Sequence, residues 1–421
     1  MNALIKLSFK NTYGNLIWGK KYIYPESDLR YGIIELQKKG YWISAFPEGD
    51  GLTFKMESEK SESFTDFEIA FPWMNLKCYS ESENMDYDKD LFNEQIVILP
   101  LTRLNIDNAI HSRNLCIFPS GQFPVELLNT QIPDKFDFNK LPKEGCNRNL
   151  VTSVTQIDEE AFTHNALVVF RDSITIEEYA KMLQPDDVEL IKKYSERVEP
   201  VLDIIRFFEC NYTTPELLPA RAGIWDDRYS AFLLYFPKFD IGVVQSREVE
   251  IKTFIKGIGA DISDTMQITY LPIFMYQDSE IGEVGRLCKY ALKLNTTIAE
   301  SDNQSVKFMQ IMTLLEFLGS PHEYKQFQMI KGKIISYIAT DKNDYHSLSE
   351  KFKYYSKDLR TEIVHNGKRI EDLLTAKEIF GLFQFFHRTI YTIIFDMMTK
   401  FDMDWVDYQI DRKIKQDILT S

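Results

Sequence analysis

Residues 348–367 read Leu-Ser-Glu-Lys-Phe-Lys-Tyr-Tyr-Ser-Lys-Asp-Leu-Arg-Thr-Glu-Ile-Val-His-Asn-Gly. Leu348, Phe352, Tyr355, Leu359 and Ile363 recur at spacings of 4, 3, 4 and 4, the stripe of an amphipathic helix with one buried face. Asn366-Gly367 ends it, because both residue types tolerate the left-handed backbone that closes a helix. On a wheel of about 100° per residue with Leu359 at zero, Arg360 falls at about 100°, Lys353 at about 120° and Lys357 at about 160°; Thr361 follows at about 200° and His365 at about 240°. The face away from the stripe therefore presents two lysines, an arginine, a hydroxyl and a histidine. The histidine sits at the helix C-terminus, where the helix dipole favours its protonated form.

The surrounding sequence extends the helical pattern. Ile281–Ala299 and Ser305–Leu318 are apolar and periodic, the second closed by Gly319-Ser320-Pro321. Lys325–Ile338 reads as a third helix, followed by a polar loop at Asp341–Tyr345. Thr375-Ala-Lys-Glu378 is a capping box opening a long apolar helix to about Thr399. Upstream, short runs bounded by turns predict strands at Asn15–Tyr24, Gly40–Phe46, Phe67–Tyr79, Gln95–Leu104, Leu115–Pro119, Ala166–Phe170, Tyr229–Phe236 and Met266–Tyr276. Glu57–Phe64 and Tyr79–Asp90, rich in Ser, Glu and Asp, read as solvated loops. Asp186–Cys210 carries a helical stripe. The sequence thus predicts an α+β protein: a strand-rich mixed N-terminal region over 1–277, divisible near 150, and an all-α bundle over 278–421.

Charge divides the chain in the same place. The 421 residues hold 49 Lys+Arg against 63 Asp+Glu, a net charge of −14, which argues against a general polyanion binder. From Ile281 onward, however, 20 basic residues meet 19 acidic ones, and within 325–369 ten meet five. The acid belongs to the N-terminal region, and the basic centre surrounds Arg360 and His365. Five scattered cysteines contain no CxxC pair, so neither a zinc ribbon nor a dithiol redox motif is expected. No apolar leader pattern follows Met1 and no run approaches the ~18 apolar residues of a membrane span; a cytoplasmic protein without a membrane partner is the expectation.

Leu359-Arg360-Thr361-Glu362-Ile363-Val364-His365-Asn366-Gly367 resembles the Arg-x4–6-His motif of the HEPN superfamily. The helix containing Met312-Thr313-Leu314-Leu315-Glu316-Phe317-Leu318, then a second helix, then the Arg…His helix, is similar in order to the Apea-like HEPN group. The resemblance covers roughly the last third of the chain. Thr361 stands where active members usually carry Asn, Asp or His, and Asn366 separates His365 from the glycine.

The resemblance implies a metal-independent endoribonuclease of antiviral defence, abortive infection or toxin type, using no cofactor. Arg360 and His365 would be catalytic, with Thr361, Asn366, Glu316, Lys353 and Lys357 supporting the site or holding RNA. In that family two protomers build one composite site. The wheel points the same way: Arg360 and His365 lie about 140° apart, a poor clamp for one phosphate from one helix, and a two-fold would duplicate each residue. The partners implied are RNA (tRNA included), a second copy of the chain, and a phage-derived trigger or antitoxin acting through the N-terminal region. The alternative is a non-catalytic HEPN-like dimerisation, RNA-binding or sensor protein. His387-Arg388 reads as structural, Lys256-Gly257-Ile258-Gly259 is too short for a phosphate loop, and Asp226-Asp227 reads as a turn.

Overall fold

A computed structural model describes residues 3–10, 16–24, 42–48, 51–57, 95–112, 115–122, 161–183, 186–225, 229–236, 241–248, 258–262 and 281–420. It has the expected α+β composition: among the described residues strands fall within 3–262, and helices run throughout 283–420. The chain forms two compact units. One comprises 1–198, 220–252 and 261–269; the other comprises 199–219, 253–260 and 270–421. The expected division between 277 and 278, and the strands expected at Phe67–Tyr79 and Met266–Tyr276, lie outside the described residues.

The first unit contains two larger sheets. Strands β1 (Ala3–Lys10), β2 (Leu16–Tyr24), β3 (Trp42–Glu48) and β4 (Gly51–Glu57) pair in the order β2-β1-β4-β3, with β1 and β4 parallel. The second sheet is antiparallel. It uses β5 (Gln95–Leu101), β7 (Ile110–Ser112), β8 (Leu115–Phe118), β9 (Ala166–Asp172), β10 (Tyr229–Phe236) and β11 (Ile241–Glu248), ordered β11-β10-β5-β9-β8-β7. All seven residues of β5 are buried, which is why that strand is apolar without a break from Ile96 to Leu101 rather than alternating. Helix α1 (Ile176–Lys181) and the start of α2 (Asp186–Glu209) supply aromatic cover: Tyr179 meets Phe232 and Phe236, and Tyr194 meets Phe170 and Phe232. β6 (Leu104–Ile106) pairs with β12 (Ala260–Ile262).

The second unit is a helical bundle. Its helices are α3 (Glu283–Ala299), α4 (Gln304–Gly319), α5 (Phe327–Ile338), α6 (Lys342–Lys353), α7 (Arg360–Val364), α8 (Ala376–Thr399) and α9 (Trp405–Thr420). Asp341 caps α6 by accepting from the Asp344 N–H, so the polar loop expected at Asp341–Tyr345 is instead a helix start. Thr375 and Glu378 make the expected capping box. The core gathers aromatic rings from several helices: Phe352 lies 5.4 Å from Phe327 and 6.1 Å from Phe386, which in turn reaches Phe308 at 6.0 Å. α9 follows no pattern singled out in the sequence. It buries Trp405, Tyr408, Arg412 and Leu419, and the Arg412 guanidinium stacks 3.7 Å over Tyr337 while donating to the Leu318 carbonyl.

Between α6 and α7 the helix continues as a six-residue π-helical segment, Tyr354–Leu359. The expected single wheel therefore breaks there, because the extra residue in each π turn changes the phase. Phe352 and Leu359 are buried, whereas Leu348, Tyr355 and Ile363 of the expected stripe are half-buried.

Candidate functional site

α7 lies beside α4, and two hydrogen bonds together with a shared groove define the register. Arg360 Nη1 donates to Glu316 Oε1 at 2.7 Å. Ile363 and Val364 line one groove with Gln310 and Leu314. Beyond the helix end, the Ile370 N–H donates to Ser305 Oγ at 2.9 Å. The two segments therefore run antiparallel, with residue numbers rising on one as they fall on the other. Glu316 is buried at 8% exposure, and the Arg360 side chain keeps 28%. A charge-assisted pair of this kind fixes the guanidinium while leaving part of it open.

His365 is exposed at the end of α7, its N–H donating to the Thr361 carbonyl at 2.9 Å. The Asn366 N–H returns to the same carbonyl at 3.3 Å, and the Lys368 N–H to the Glu362 carbonyl at 3.1 Å. Gly367 closes this end at φ +65°, with open space around the position a Cβ would take. The requirement there is for left-handed backbone and not for room. Lys368 holds the Glu362 carboxyl below the usual carboxylate range through a 2.7 Å contact, with Asn366 adding a hydrogen bond.

Of the sequence-derived residues, the structure joins Arg360 to Glu316. Thr361, His365, Asn366, Lys353 and Lys357 are all exposed, Lys353 lying 3.6 Å from Glu350. Among the described residues no hydrogen bond links His365 to Arg360; they occupy opposite ends of α7. The 140° separation holds between them, since both lie beyond the π segment. The wheel positions of Lys353 and Lys357 relative to Arg360 do not hold, since the segment intervenes.

Two features escaped the sequence. A groove of about 420 Å³ runs between α3, α4 and α7, floored by Leu294, Ile298 and Leu314 with Val306 and Val364 on its lip. Val306 and Val364 are 47% and 49% exposed. Nothing in a one-dimensional pattern signals a gap between three helices. The second is a buried polar cluster. Lys307 Nζ donates to the Tyr212 carbonyl at 3.2 Å, and Tyr212 donates its hydroxyl to Asn295 Oδ1 at 2.6 Å. Burial pushes the Lys307 amine down and the Tyr212 phenol well up. His387 stands edge-on to Tyr212 at 5.2 Å, and burial lowers it to about 4, so its ring is neutral at ordinary pH. A lone lysine inside the apolar run of α4 was the available signal.

The remaining candidates disperse. His322 Nε2 lies 3.1 Å from Glu283 Oε1, and Gly259 gives its N–H to the Glu216 carbonyl at 3.0 Å. Asp226, Asp227, Lys256 and Gly257 lie outside the described residues. Among the described residues no group of three or more His, Cys, Asp or Glu is placed to hold a metal ion, and no helix is long and apolar enough to cross a membrane. No protein-family profile, curated protein or solved structure matches the chain.

Proposed function

We propose that this chain is a metal-independent endoribonuclease of HEPN type, in which two copies bring their α7 helices together over one RNA strand. The observation that carries the reading is Arg360, fixed by buried Glu316 yet part-exposed, five residues ahead of an exposed histidine at the helix end. In the reaction the ribose 2′-oxygen attacks phosphorus and the 5′-oxygen leaves, forming a 2′,3′-cyclic phosphate. His365 of one copy takes the 2′-OH proton and His365 of the other returns a proton to the leaving oxygen, help typically worth ~10²–10⁴-fold. Arg360 binds the non-bridging oxygens as charge accumulates on them. Thr361 and Asn366 hydrogen-bond at the site, Lys353 and Lys357 steer the RNA backbone, and the acidic N-terminal region restrains cleavage until a trigger binds. The setting that suits such a restrained nuclease is antiviral defence or a toxin system in the cytoplasm.

The test is RNA incubated with the protein in EDTA. Cleavage leaving 2′,3′-cyclic phosphate ends, lost in Arg360→Ala and in His365→Ala while helical content is kept, supports the reading. Cleavage surviving in the double variant overturns it. One observation favours a second reading, a non-catalytic dimerisation, RNA-binding or sensor bundle: Glu316 already neutralises Arg360. RNA bound without cleavage by the wild-type protein selects that alternative.

A further inference from the structure

We infer that α9 carries a self-association surface on which a second copy of this chain docks, independently of the ribonuclease reading. One face of α9 is committed to the bundle through Trp405, Tyr408 and Arg412. The opposite face carries Val406, Ile410 and Ile414 at 69%, 55% and 55% exposure, and Ile418 continues the row at 65%. Exposed apolar residues are ordinary when scattered. Here they repeat every four residues and are all β-branched, forming a stiff ridge about 18 Å long at 1.5 Å per residue. A ridge with four-residue spacing fits into the groove beside an identical ridge, crossing at about −50°, the commonest helix-packing class. A second α9 therefore supplies a complementary surface directly.

Charge selects both the occupant and its direction. The whole chain is strongly acidic, but the exposed charges of α9 nearly cancel, Asp407, Asp411 and Asp417 against Lys413 and Lys415, with Arg412 buried, so two copies of this helix repel little. On a wheel of about 100° per residue, Asp407 and Asp411 flank the ridge on one side, while Lys413 and Asp417 flank it on the other. A two-fold running along the helix brings one flank against the opposite flank of the second copy. Asp411 then faces Lys413 within about 3 Å of height along the axis. A two-fold across the helix would instead oppose Asp411 to Asp411 and Lys413 to Lys413. The parallel arrangement is the one the charges permit. Asp411 also takes Lys400 on Oδ2 at 3.2 Å, an exposed pair that screening keeps weak.

Sedimentation and light scattering of the full chain test the proposal. The wild-type particle mass is expected to halve in the double variant Ile410→Asp, Ile414→Asp, with its circular dichroism unchanged. Asp411→Lys is expected to weaken association at least tenfold by setting like charges opposite each other, and adding Lys413→Asp is expected to restore it. That rescue requires the two positions to meet across copies. A particle mass unaffected by the Ile variants overturns the proposal. So does a wild-type protein whose ridge-dependent binding is to lipid vesicles with no change in mass. If the Ile variants misfold, the Asp411→Lys and rescue pair decides alone.

Discussion

Arg360 and Glu316 depend on each other unequally. Glu316 is the more buried, so removing Arg360 strands a carboxylate, whereas removing Glu316 leaves a guanidinium with access to water. Glu316→Ala is expected to lower stability by about 1 kcal/mol in urea denaturation, a value discounted for Arg360's exposure. Under the nuclease reading, Glu316→Gln should lower kcat about tenfold with little change in KM, because it loosens Arg360 without removing it. A second residue-scale prediction concerns Asp203. Burial raises its carboxyl to about 6, against the opposing pull of Arg206, and Glu199 and Glu300 add to the rise. Arg206 is fully buried and reaches Glu199 at 2.7 Å and Asp203 at 3.4 Å. A carboxyl with a raised folded-state pKa binds its proton more tightly when folded. Its contribution to stability is therefore full below about 4 and is lost as pH rises through about 6. Asp203→Asn should remove that slope, changing the difference in unfolding free energy between pH 4 and pH 7 by roughly 1–3 kcal/mol relative to wild type.

The π segment sets the orientation of everything after it. Ser356 anchors it, accepting from Gln328 Nε2 and donating to the Phe352 carbonyl, both at 2.6 Å. Deleting Ser356 would rotate α7 by about 100° relative to α6, carrying Arg360 away from Glu316. Under the nuclease reading, RNA cleavage should vanish while circular dichroism retains the helical signal. Two glycines give opposite predictions for the same substitution. A Cβ on Gly319 would lie 2.5 Å from Ile330 Cδ1 and 2.9 Å from Ile330 Cβ, so Gly319→Ala should cost about 1–3 kcal/mol. Gly381, inside α8 with nothing within 4 Å, should gain about 0.5–1 kcal/mol as alanine; thermal denaturation of the two variants checks both signs. Helices 3, 4, 5 and 8 were legible because their apolar period, Gly-Ser-Pro stop and capping box are local signals. The π segment was not, since its sequence continues the same apolar spacing and the bulge is settled by what Phe352 and Leu359 pack against. α9 was missed because its outward ridge and inward face are both apolar, which blurs the period. Arg360 and Glu316 were legible as residue types, but the contact between them spans 44 positions and depends on the packing of α4.

Across the whole molecule, the net charge of −14 conceals a helical region close to neutral with a basic centre. If that centre holds a single strand of RNA, kcat/KM should fall with salt, and each of Lys353→Ala and Lys357→Ala should reduce the log–log slope by about 0.7. A slope unchanged in both variants would remove these lysines from the RNA path. The interleaving of the two units has a consequence for the order in which the chain is made. The β-rich unit takes β10 and β11 from beyond residue 228 and the last two residues of β12, 261–262, so it cannot finish until the ribosome has passed that point. Almost all the bundle is translated afterwards. At roughly 5–20 residues per second, the remaining ~160 residues take on the order of ten to thirty seconds. The β-rich unit thus has time to fold before Arg360 and His365 leave the ribosome; under the nuclease reading, a cleaving bundle would not form in the cell ahead of its restraint.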